Sequence, residues 1–212
     1  SAKPAKQDWS FSGVLGTFDR AQLKRGLTVY QNVCSACHAL NQLYYRNLTE
    51  IGLSPDQVAE MAAAADVQDG PNDDGEMFTR PGRPSDRIKG PFPNEQAARA
   101  ANNGAAPPDL SLIVKAREGG ADYIHALLTG YVPFDKLTAE QKKESGVTKD
   151  DNYNLYFPGH RIAMPAPLRA ASRKASLLLA ENAPDTGTLT RSCPRLRSRG
   201  CSVHTGVSWL RG

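Results

Sequence analysis

The sequence predicts a mostly α-helical domain with long loops, and three observations point there. Apolar residues recur at three- and four-residue spacing behind residues that cap helices. Apolar–polar alternation nowhere runs long enough for a sheet. Gly (18) and Pro (15) are plentiful in 212 residues, which assigns much of the chain to loops.

Residues 1–10 read as a polar lead-in. Asp19 caps a helix over about 20–33, with Leu23, Leu27, Tyr30 and Val33 on one face. Ser54-Pro55-Asp56-Gln57 is a capping-box start with Pro at the first helical position. That helix runs through Val58 and Met61 to about Ala65. Residues 66–93 are rich in Gly, Pro, Asp and Asn and read as one long loop. Asn94 starts a short helix to about Ala101, stopped by Asn102-Asn103-Gly104, and Asp109 starts another to Glu118. A third covers about 121–129 and ends at Gly130; Thr138 to Gln141 is a weaker start. Residues 151–168, with aromatics, Gly and three prolines, read as a shaped loop.

Hydrophobic residues make up 40% and charged residues 23%, the balance of a globular chain. The net charge of +4 is unevenly placed. Residues 170–212 hold seven Lys or Arg against two acids, so the rest is close to neutral. The main body therefore gives no electrostatic reason to propose nucleic acid. Aliphatic runs at 62–65 and 177–180 are far short of the roughly 20 residues that cross a bilayer. The chain opens on Ser1 with no short apolar run, so any export signal is expected to have been removed already.

The strongest chemical signal is Cys34-Ser35-Ala36-Cys37-His38, the C-x-x-C-H pattern of covalent haem attachment. Two thiols at this spacing can add to the two vinyl groups of one porphyrin. His38, next in line, is then held beneath the iron with little freedom left to lose. A redox disulfide would want a strand before it, whereas a helix is predicted here. A zinc site would want two more ligands at similar spacing, and Cys193 and Cys201 are far off. The expected fold is thus a c-type cytochrome, mostly α, with long loops packed around one covalently bound haem c.

Met164 is the preferred sixth ligand. It lies in His160-Arg161-Ile162-Ala163-Met164-Pro165-Ala166-Pro167, where prolines restrict the loop and a soft thioether suits low-spin iron. His160 is the rival, since a second imidazole also completes six-coordinate iron. Met61 belongs to an Ala-rich helix face and reads as core, and Met77 reads as exposed. His125 reads as an ordinary helix histidine, and His204 falls in the tail.

With these residues in hand, the chain over about 8–169 resembles cytochrome c1, the haem subunit of the bacterial-type cytochrome bc1 complex. The resemblance rests on Arg25-Gly26-x-x-Val29-Tyr30 ahead of Cys34-x-x-Cys37-His38, and on Ala97-Ala98-Arg99-Ala100-Ala101-Asn102-Asn103-Gly104 leading to Pro107-Pro108-Asp109-Leu110-Ser111. It continues through Ala116-Arg117-x-Gly119-Gly120-x-Asp122-Tyr123, Leu127-Leu128-Thr129-Gly130-Tyr131 and Tyr153-Asn154-x-Tyr156-Phe157-Pro158-Gly159 to the Met164 loop. It implies Met164 as axial ligand, Arg117 near a haem propionate, and Tyr123, Pro108 and Phe157 lining the haem pocket. It implies an electron-transfer subunit with no catalytic site of its own. The electron comes from the Rieske iron–sulfur protein and goes to a soluble c-type cytochrome, with cytochrome b as a further partner. It also implies a place on the periplasmic side of the bacterial inner membrane. A free periplasmic electron shuttle is the competing function, and a haem enzyme or gas sensor with an open iron site is a third.

Residues 51–79 hold seven acids (Asp56, Glu60, Asp66, Asp69, Asp73, Asp74, Glu76) and no Lys or Arg. A solvated loop accounts for them; the sharper expectation is that part of it, around 66–76, steers a basic cytochrome. The domain division expected is a haem domain over 1–169 and an atypical basic tail over 170–212, in place of the family's C-terminal helix and membrane anchor. That tail reads as a truncated or frame-shifted ending, with Cys193 and Cys201 available for a disulfide. Membrane attachment is then expected to come through partner subunits.

Overall fold

A computed structural model describes residues 1–168. The tail, with Cys193, Cys201 and His204, lies outside the described residues.

Helix α1 (Arg20–Asn32) begins where the Asp19 carboxylate accepts a hydrogen bond from the Ala21 N–H. Its Leu27 and Tyr30 pack inward, and it hands the chain to a 3₁₀ turn at Cys34–Ala36. Strand β1 (Leu40–Tyr44) follows, then a 3₁₀ segment at Tyr45–Ile51. Helix α2 (Pro55–Ala63) starts at the expected box: Ser54 Oγ accepts from the Gln57 N–H, and the Gln57 side chain accepts from the Ser54 N–H. These elements enclose a first apolar cluster of Tyr45, Leu48, Val58, Ala62 and Ile88, with Met61 packed against it.

The region 66–93 is not one long loop. Strands β2 (Asp66–Asp69) and β3 (Phe78–Pro81) form an antiparallel hairpin, and β4 (Arg87–Ile88) pairs with β1. Arg80 anchors the hairpin, donating to the carboxylates of Asp69 and Asp86. The paired hydrogen bonds from Arg80 to Asp86 hold the Asp86 carboxyl down at about 2. Strands of two to four residues are too short for alternation to show in a sequence rich in loop formers.

Helix α3 (Glu95–Ala101) is capped by Asn94. Helix α4 is only Ile113–Ala116, so Asp109 does not start a helix running to Glu118. Its carboxylate instead accepts from the N–H groups of Asn41 and Ser111. Helix α5 (Gly120–Thr129) ends at Gly130 as expected, and α6 (Ala139–Ser145) has a full Thr138/Gln141 capping box. Between them lie β5 (Tyr131–Val132) and a 3₁₀ turn at Phe134–Lys136.

Residues 151–168 are likewise more ordered than a shaped loop. Strands β6 (Asn152–Asn154) and β7 (Arg161–Ile162) join β5 in a three-stranded antiparallel sheet of order β5-β6-β7. A second apolar cluster of Leu137, Val147 and Tyr153 lies here. Helices cover more of the described residues than strands do, but loops and three small sheets keep the fold from being mostly α. The polar lead-in is also tied down. The Asp122 carboxylate on α5 accepts from the Gln7 N–H and, at 2.6 Å, from Trp9 Nε1, while the Ala2 N–H donates to the Leu155 carbonyl.

Candidate haem-binding site

The Cys34–Ala36 turn places three candidate groups within one short stretch. The N–H groups of Cys37 and His38 both donate to the Cys34 carbonyl, at 3.1 and 2.8 Å. Cys34 and Cys37 are half-buried free thiols. Burial pushes the Cys34 thiol up, away from the thiolate a metal site would need. Among the described residues no group of three or more His, Cys, Asp or Glu is arranged to hold a metal ion.

His38 is oriented from 70 residues away. Its Nδ1–H donates to the Pro108 carbonyl at 2.7 Å. That bond fixes the tautomer and leaves Nε2 as the ring's lone-pair nitrogen. Pro108 is held in turn by its neighbours. The Leu110 N–H donates to the Ala39 carbonyl, the Asn41 N–H to Asp109 at 2.7 Å, and the Gln42 N–H to Ser111 Oγ at 3.0 Å. Burial alone would raise the Asp109 carboxyl, but the hydrogen bonds from Ser111 and Asn41 outweigh it and hold it below the ordinary range. On the other flank the Tyr30 hydroxyl donates to the His38 carbonyl at 3.1 Å.

The candidate residues distribute unevenly. Pro108 and Arg117 line one open cavity of about 340 Å³ with Asn41, Gln42 and Leu112. Arg117, at the C-terminus of α4, is exposed. Tyr123 is half-buried on α5, where its Cβ packs beneath Gly119. Phe157 sits in the β6–β7 turn, its N–H donating to Asn154 Oδ1.

Met164 lies two residues beyond β7, half-buried, with its carbonyl accepting from the Tyr131 hydroxyl at 3.0 Å. Burial pushes the Tyr131 phenol up to about 12, so it remains a donor across the working pH range. His160, the rival ligand, is engaged in the turn. Its φ is +64°, its Nδ1–H donates to the Asn154 carbonyl at 3.0 Å, and its ring stacks on Tyr153 at 5.1 Å. His125 is exposed and meets the edge of Trp9, and Met77 is exposed.

Asn154 is the residue that sequence reasoning passed over. It is fully buried, donates to the Leu127 carbonyl, and accepts from the N–H groups of Tyr156 and Phe157. It joins α5, β6 and the following turn through one side chain. Its only mark in the sequence is a polar residue set among Tyr153, Leu155 and Tyr156.

These residues fit a c-type haem on their own geometry. Two unpaired thiols share one turn, the adjacent imidazole has Nδ1 occupied and Nε2 open, and neither apolar cluster includes Cys34, Cys37, His38 or Met164. The cytochrome C1 family model matches residues 9–175. This chain belongs to the cytochrome c1 family. It is 49% identical over 172 residues to cytochrome c1 of Rhodospirillum rubrum, covering 77% of this chain and 63% of that protein. It is 50% identical over 191 residues to cytochrome b/c1 of Bradyrhizobium diazoefficiens, covering 79% of this chain and 27% of that one. Against the mitochondrial cytochrome c1 heme protein of Schizosaccharomyces pombe it is 48% identical over 165 residues, 77% of this chain and 51% of the relative. The chain thus spans less than two-thirds of the length of each of these curated relatives. Its cofactor is that of the cytochrome c1 family, one covalently attached haem c. No helix among the described residues is long and apolar enough to cross a membrane.

Proposed function

We propose that this chain is the haem subunit of a quinol:cytochrome c oxidoreductase, the cytochrome bc1 complex. It takes one electron at a time from a Rieske iron–sulfur protein and delivers it to a soluble c-type cytochrome. A haem held here supplies an iron that accepts and releases a single electron. Cys34 and Cys37 would provide the two thioether links, and His38 Nε2 a nitrogen ligand. Met164 would supply a sulfur ligand, and with His38 a combination that raises the reduction potential. Arg117, which lines the same cavity as Pro108, would pair with a propionate, while Pro108, Tyr123 and Phe157 would line the haem pocket. The chain's own part in the chemistry is to hold the ligands in place and keep one edge accessible; no proton transfer or nucleophile is required.

The observation that carries this reading is the hydrogen bond from His38 Nδ1 to Pro108, because it turns a three-residue pattern into an oriented ligand. The 66–81 hairpin supplies a docking argument. Asp69 is neutralised by Arg80, but Asp73, Asp74 and Glu76 are exposed at the tip and available to steer a basic cytochrome. Cytochrome b and the Rieske protein are the proposed partners, on the periplasmic side of a bacterial inner membrane. The haem domain is proposed to be residues 1–169.

Affinity purification of a tagged chain from gently solubilised membranes tests this. Cytochrome b and an iron–sulfur protein are expected in the eluate, with a thioether-haem absorption spectrum. Recovery of the haem-bearing chain alone, from the soluble fraction, would replace this reading with a free electron shuttle.

A further inference from the structure

We infer that Tyr131 is a positioning residue for the sulfur side of the haem: its hydroxyl, through the Met164 carbonyl, sets how long the thioether stays on the iron. The inference rests on the reading of Met164 as sixth ligand and adds what governs that ligation.

Tyr131 is only 7% exposed and opens β5, where pairing with Asn154 on β6 fixes its backbone. Gly130 before it admits no side chain, since a Cβ there would lie 2.4 Å from the Tyr156 ring and 2.7 Å from the Ala126 carbonyl. The ring is therefore held at its root, and its hydroxyl reaches across 33 residues to Met164. The stretch it meets lies between β7 and a helical turn at residues 167–168. Strand β7 ends at Ile162, and Pro165 and Pro167 have no N–H to donate. A thioether–iron bond in such a loop opens whenever the backbone swings away, and a fixed carbonyl limits that swing.

The other proposed ligand, His38, meets the same chemistry with a different consequence. The Tyr30 hydroxyl donates to the His38 carbonyl. His38, however, is also held by its own N–H on the Cys34 carbonyl, by Nδ1 on Pro108 and by the covalent neighbour Cys37. One hydrogen bond fewer there leaves the imidazole in place. The two tyrosines thus make a matched pair, one redundant and one decisive.

The test uses the full haem-bearing chain, with carbon monoxide binding to the ferrous protein and the near-infrared band of sulfur-ligated ferric haem as readouts. Tyr131→Phe is expected to raise the carbon monoxide association rate about tenfold, the change one lost hydrogen bond of this kind supports. The near-infrared band should weaken and the reduction potential fall. Tyr30→Phe is expected to stay within about twofold of the parent, by the redundancy just given. p-Aminophenylalanine at position 131, which keeps a donor, should restore the parent rate. p-Fluorophenylalanine there, which keeps the ring contour without a donor, should repeat the loss and serves if Tyr131→Phe does not accumulate. Unchanged rate and band in the donor-less variants, with both altered in Met164→Leu, overturn the role of Tyr131 alone. Unchanged rate and band in Met164→Leu overturn the ligand assignment beneath it.

Discussion

The two proposed ligand-bearing segments, around His38 and around Met164, are built from different lengths of chain. On the His38 face, ligand and attachment points lie within five consecutive residues, 34–38, and one turn holds them. On the side proposed for Met164, the placement of that residue depends on β5, β6 and β7 and on the side chains of Tyr131 and Asn154. The first face is a local motif steadied by tertiary contacts; the second is a tertiary construction that happens to end in a methionine. Loss of one hydrogen bond should therefore be absorbed on the first face and felt on the second. Covalent links at Cys34 and Cys37 would confine the neighbouring His38 whatever the rest of the fold does, whereas no such link would confine Met164.

The largest expected effect removes the local face itself. His38→Ala should abolish stable ligation on that side and sharply reduce the yield of holoprotein, measured as haem stain retained on a denaturing gel per unit protein. A normal yield with an unchanged spectrum would show that the motif is not the ligand-bearing face.

Next comes the hub of the tertiary face. Asn154→Ala leaves the Leu127 carbonyl and the Tyr156 and Phe157 N–H groups without their partner inside the protein. The expected cost is about 3 kcal/mol, the penalty for stranding buried polar groups, read from the denaturant midpoint of the haem-bearing protein. The same variant should lose sulfur ligation before it unfolds, because the β5–β6–β7 sheet carries the Met164 loop. Sulfur ligation and fold lost in one step would remove the distinction between the faces.

A smaller effect probes the support of His38. Asp109 has a lowered carboxyl in the folded chain, so its stabilisation is present above the unfolded value of about 3.9 and is lost as pH falls through the folded value. Asp109→Asn should cost about 1 kcal/mol near neutrality. The gap from the parent should close as pH drops below about 4, measured by denaturant titration across that range. A gap that stays constant into acid would mean the Asn41 and Ser111 contacts do not depend on the charge.

The smallest effect should touch neither face. Asp73→Asn with Asp74→Asn alters an exposed hairpin tip. It should slow electron transfer to a basic cytochrome by a few-fold at low salt and flatten the salt dependence, roughly as expected for two lost surface charges. Reduction potential and spectrum should not move. An unchanged rate and salt slope removes the steering role.

Legibility in the sequence follows the same division. Helices α1, α2, α3 and α6 were readable because the caps Asp19, Ser54, Asn94 and Thr138 act on residues two or three positions away, and α5 because it stops at Gly130. The helix expected after Asp109 was misread because its carboxylate has distant partners at Asn41 as well as the near one at Ser111. Strands β2 to β7 were missed because each is four residues or fewer, and partner choice across the chain, not local alternation, makes them strands.

By itself the sequence determined the covalent attachment chemistry, the family, and a ranking of sulfur over imidazole for the sixth position. Those depend on residue identity and near spacing, which a linear chain carries in full. Only the tertiary structure decided which nitrogen of His38 is free, that His160 is stacked and hydrogen-bonded in a turn, and that Tyr131 and Asn154 stand behind Met164. Each of these is a directional bond closed between remote segments, and its geometry exists only once folding has brought both ends together.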